Sequence, residues 1–119
     1  MGVYAANGIY NDEFEIPWCK IGKTINSAYR RLRYSQTFNA YDYEELDCFE
    51  DELDAIEHLS HAIAAQRFGR APRTYISRKV NWERKYDGYT ETFLCDKDDG
   101  FTIICEAGEW VNKALKSST

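Results

Sequence analysis

Residues 18–33 read WCKIGKTINSAYRRLR, and this stretch decides the fold. Its first four residues predict a short β-strand. Trp18 and Lys20 face one way and Cys19 and Ile21 the other, because strand side chains alternate. Gly22, having no Cβ, is expected to turn the chain sharply. Asn26 or Ser27 is the expected N-cap of a short helix reaching about residue 34 and carrying Arg30, Arg31 and Arg33. Strand, turn and helix would bring Lys20, Lys23 and Arg31 toward one point, with no acid between Ile16 and Tyr41. A solvated helix face also has this composition. Converging cations without counter-charges, however, suit an anionic ligand, most simply a phosphate.

Outward from this centre, residues 2–6 (GVYAA) predict an opening strand and residues 16–21 its returning partner. Asn7-Gly8 and Asn11-Asp12 are turn signals, so residues 7–17 read as an elongated hairpin tip that contains a literal Gly-Ile-Tyr at 8–10. Residues 41–49 (YDYEELDCF) predict a third strand with a slip at Glu44-Glu45. From Glu50 the period becomes helical. Leu53, Ile56, Leu59 or Ser60, and Ile63 form an apolar stripe, acids crowd the first turns, and Gly69 closes the helix. Beside that stripe Asp54, Glu57 and His61 share one face. Residues 70–89 are basic and aromatic without a clear period, a long insertion with a strand expected near 74–80. Interleaved Arg, Lys, Tyr and Trp suit base stacking and phosphate contact. Residues 90–95 and 101–105 predict a hairpin across the DKDDG turn, and a terminal helix starts at 106–109.

A chain of 119 residues fits one domain, 1–119, with a single core. The class expected is α/β in the α+β sense: a small three-stranded antiparallel sheet flanked by helices, with a C-terminal β-hairpin and helix added. No stretch is long and apolar enough to cross a bilayer, and no leader is read at the N-terminus. Cys19, Cys48, Cys95 and Cys105 are widely spaced, which argues against a zinc cage and for free thiols in the cytoplasm. The net charge of −5 opposes non-specific nucleic-acid binding, but the charge is segregated. Acids dominate residues 42–57, while Arg67, Arg70, Arg73, Arg78, Lys79, Arg84 and Lys85 face the single acid Glu83.

GVY at 2–4, KIGKT at 20–24, RRLR at 30–33, E-x-x-x-H at 57–61 and ETF at 91–93 stand in an order that resembles the GIY-YIG nuclease superfamily. The likeness is to its compact phage-type branch, whose second motif reads KIG. It covers residues 2–68 and 90–95, leaving 70–89 as an insertion and 96–119 as an extension. The resemblance implies a phage or mobile-element endonuclease that hydrolyses phosphodiester bonds with Mg²⁺ or Mn²⁺, favouring DNA over RNA. It would nick one strand, or cut both as a homodimer. Position by position, Tyr4 matches the first-motif tyrosine, with Tyr10 as a rival, and Lys20 stands where the wider superfamily has a second tyrosine. Arg31 matches the phosphate-holding arginine, Lys23 the basic residue after the glycine, and Glu57 the metal ligand. His61 and Glu91 are branch features expected to position water, support the metal from outside, or hold structure. Arg30, Arg33, Arg73, Arg78 and Lys79 are the expected nucleic-acid contacts. The missing second tyrosine and the acidic run also allow a different class: an inactive scaffold binding or inhibiting a host protein or nucleic acid.

Overall fold

The computed structural model describes residues 1–9, 11, 16–35, 37–71 and 91–117. Tyr10, Arg73, Arg78, Lys79 and the strand expected near 74–80 lie outside the described residues. Four strands, β1 (Gly2–Gly8), β2 (Cys19–Thr24), β3 (Phe38–Asp47) and β4 (Thr92–Phe93), form one antiparallel sheet. Their order is β3-β1-β2-β4. Among the described residues three helices flank it: α1 (Ala28–Leu32), α2 (Glu50–Arg67) and α3 (Lys97–Ser117). The α+β class is as expected, with the ETF segment supplying a fourth, edge strand. No described helix is long and apolar enough to cross a membrane.

Alternation on the two central strands divides the interior. Val3, Ala5, Cys19 and Ile21 meet Leu53 and Ile56 of α2 and Ile103 and Ile104 of α3. Tyr4, Ala6 and Trp18 turn the other way, onto Phe38, Ala40 and the Ala28 and Leu32 side chains of α1. The predicted facing of Trp18 against Cys19 and Ile21 therefore holds. α1 is capped as expected by Ser27, whose hydroxyl accepts from the Tyr29 N–H at 3.2 Å. α2 starts at Glu50 as expected, with Glu52 accepting from the Phe49 N–H at 3.3 Å, and Gly69 follows it at φ 86°.

Three expectations are corrected. Gly22 does not turn the chain: β2 continues to Thr24, and Gly22 pairs with Tyr4. A Cβ at Gly22 would lie 3.0 Å from Tyr4 Oη, so the glycine makes room for a ring on the neighbouring strand. The slip between β1 and β3 falls beside Ala6 and Gly8, whereas Glu44 and Glu45 pair regularly with Ala5 and Tyr4. The C-terminal hairpin is absent, and residues 97–117 form the single helix α3. Its buried residues Gly100, Ile103, Ile104, Ala107 and Val111 follow the helical period. Packing this stripe outweighs the β-preference of the Thr-Ile-Ile run. Gly100 permits the close approach, since a Cβ there would come within 2.9 Å of Cys19 Sγ.

Candidate functional site

The site grows from an incomplete sheet edge. β4 pairs with β2 only at Cys19 and Lys20, so the described ladder stops before Ile21. Carbonyls two residues apart on a strand point the same way, and among the described residues those of Ile21 and Lys23 are met by side chains. His61 Nε2, from α2, lies 2.7 Å from the Ile21 oxygen. Arg31 Nη1, from α1, donates to the Lys23 oxygen at 3.4 Å. The two helices occupy opposite layers, yet they reach one edge at points roughly 6.6 Å apart along the strand.

Glu57 lies one helical turn before His61, and Glu91 immediately precedes β4. One donor atom from each of Glu57, His61 and Glu91 lies within 4.8 Å of the other two. Glu57 is only 5 % exposed, and its carboxylate accepts no hydrogen bond from the described residues. Two carboxylates and an imidazole held this close concentrate negative charge and lone pairs, so a cation is the natural occupant between them. The carbonyl of Ile21 can only accept, so the neutral His61 ring carries its proton on Nε2 and keeps a lone pair on Nδ1. The donor set therefore fits a divalent cation.

Positive groups surround this cluster. Lys20 is 6 % exposed, with Nζ 3.8 Å from Glu91 Oε2 and 5.7 Å and 6.0 Å from the ring centres of Tyr4 and Phe38. The two ring faces and one carboxylate offset the cost of its burial. Lys23 is held above its ordinary lysine value, first by its hydrogen bond to Asp54, with the charges of Asp54, Glu57 and Glu91 adding to it. Asp54 is correspondingly lowered, chiefly by that same bond. Tyr4 is fully buried, and its hydroxyl, lying over Gly22, has no hydrogen-bond partner among the described residues.

Lys20, Lys23, Arg31, Glu57, His61 and Glu91 thus collect along one edge, with Tyr4 beneath Lys20. Arg30 and Arg33 do not join them. They line a separate open hollow of about 350 Å³ with Tyr34, where the Arg33 guanidinium sits 4.5 Å from the Tyr34 ring centre. Sequence reasoning missed Phe38 as a platform for Lys20. It read Gly22 as a turn when its pairing sets the room for Tyr4. It also left Glu91 outside the ligand group; only the strand pairing of the neighbouring Thr92 and Phe93 brings Glu91 there. No protein-family model, curated protein or solved structure matches this chain.

Proposed function

We propose that this chain is a metal-dependent nuclease that hydrolyses phosphodiester bonds in nucleic acid, with DNA as its main substrate. The observation that carries the reading is the Glu57, His61 and Glu91 donor cluster at an edge shared with Lys20, Lys23 and Arg31. The order of the GIY-YIG-like segments supports it from the sequence.

Hydrolysis requires a water oxygen to attack phosphorus, the far P–O bond to break, and the departing oxygen to gain a proton. A divalent ion, when bound, supplies charge for the attacked phosphoryl group and lowers the cost of forming hydroxide. Glu57 is the residue that would hold it. Arg31 is the exposed, permanently charged fork for the scissile phosphate, steadied at the edge by the Lys23 carbonyl. Lys23 adds positive charge beside it. Tyr4 Oη, which has no hydrogen-bond partner among the described residues, or Lys20 against its ring would take or pass the water's proton.

A second reading has its own support. Tyr4, Lys20 and Glu57 are each almost wholly buried, as in a scaffold kept for binding rather than catalysis. The exposed acids Asp47, Glu50, Asp51 and Asp54 would then meet a basic partner. Titrating Mg²⁺ and Mn²⁺ against supercoiled plasmid and short RNA separates the two readings. Metal-dependent nicking supports the nuclease; intact substrates at every metal concentration support the binding module.

A further inference from the structure

We propose that Glu57, His61 and Glu91 together form a three-donor site selective for a first-row transition ion of the Mn²⁺ or Zn²⁺ class over Mg²⁺. The proposal rests on the nuclease reading for its use, while its chemistry stands on the site alone. One carboxylate would suffice for Mg²⁺, which keeps most of its waters and prefers oxygen ligands. Here an imidazole nitrogen and a second carboxylate accompany the first within 4.8 Å.

Each donor is prepared for the role. Glu57 is 5 % exposed and one helical turn before His61, while the Lys23 ammonium is hydrogen-bonded to Asp54. The Ile21 carbonyl holds His61 through Nε2, and the Phe93 ring lies 5.4 Å from the imidazole centre to centre. That leaves Nδ1 as the free lone pair. Metal-bound imidazoles are oriented in the same way, by a carbonyl on the opposite nitrogen. Lys20 engages Glu91 at Oε2, leaving Oε1 for an ion. Ligands on one ion with bonds of about 2.0–2.3 Å stand roughly 3–4.5 Å apart, so three donors within 4.8 Å of one another are near the spacing of a shared ion. Two carboxylates neutralise a divalent charge, and the nitrogen sets the choice among ions, because imidazole binds transition ions far better than Mg²⁺.

The test uses the full chain stripped with EDTA. Calorimetric titration with Mn²⁺, Zn²⁺ and Mg²⁺ should give one Mn²⁺ or Zn²⁺ per chain, bound at least tenfold more tightly than Mg²⁺. His61→Gln and Glu91→Gln should each weaken Mn²⁺ binding tenfold or more and change Mg²⁺ binding less than threefold, with circular dichroism verifying the fold. Electron spin-echo spectra of bound Mn²⁺ should carry nitrogen modulation in the unmutated chain, a readout independent of whether any variant folds. Equal affinity for Mg²⁺ and Mn²⁺, unchanged Mn²⁺ binding in both folded variants, or Mn²⁺ without nitrogen modulation would overturn the proposal. Nitrogen-ligated Mn²⁺ without cleavage of any nucleic acid would uphold this site and remove the nuclease. Cleavage that needs Glu57, with no nitrogen at the metal, would do the reverse.

Discussion

Glu57, 5 % exposed on α2, has a donor atom within 4.8 Å of one from a second carboxylate, Glu91, and two carboxylates held this close cost stability unless a cation meets them. Replacing it by the isosteric amide removes that cost together with the ligand. Glu57→Gln is therefore expected to unfold at the same or a higher denaturant midpoint than the metal-free parent, while losing divalent-ion binding. A loss of more than about 1 kcal/mol would instead make Glu57 a structural residue. Gly22 supports a second prediction. A Cβ there meets Tyr4 Oη at 3.0 Å and the ring carbon bearing it at 3.1 Å, inside a packed face. Gly22→Ala should cost about 1–3 kcal/mol in equilibrium unfolding, and an unchanged midpoint would contradict the close packing of Tyr4. The sequence signalled that something special happens at this glycine, but not what. A glycine that turns a chain and one that yields space to a neighbouring strand look alike until the partner strand and its register are known.

At the scale of elements, α2 was legible because its stripe, its acid-rich start and Gly69 all agree. β2 was legible only in part: alternation separates Trp18 from Cys19, but the strand expected at 16–21 runs from Cys19 through Gly22 to Thr24. α3 was not, because a DDG triplet followed by β-branched residues mimics a turn and strand; only the sheet surface that receives Gly100 and Ile104 makes the helix the better solution. Its first residue gives a test. Lys97 Nζ lies 2.7 Å from Glu44, 3.0 Å from Asp98 and 3.6 Å from Asp42, tying α3 to β3. The Glu44 and then the Asp98 hydrogen bonds raise its ammonium above the ordinary 10.5, against the pull of burial. A lysine value raised by folding contributes stability that is full below the unfolded value and fades as pH climbs above it. The parent should therefore exceed Lys97→Met by about 1 kcal/mol from pH 6 to 9. That advantage should shrink above about pH 10.5. An advantage that grows with alkaline pH would contradict the assigned contacts.

At the scale of the whole molecule, two helical layers reach one edge of the described sheet together, beside the Cys19 and Lys20 pairing with β4. Sequence order alone put Lys20, Arg31, Glu57 and His61 on the right elements, but it put Lys23 on a turn where the chain is still strand. It did not tell that α1 and α2 lie on opposite faces and meet through the Ile21 and Lys23 carbonyls, since that depends on where β4 stops. The account's central claim is that groups from both layers act on one phosphate at this edge. The most direct measurement is single-turnover nicking of supercoiled plasmid in Mn²⁺ by the parent, Glu57→Gln and Arg31→Ala, each verified as folded. The account expects nicking by the parent and losses of at least about a hundredfold in both variants. Nicking at the parental rate in both would contradict it.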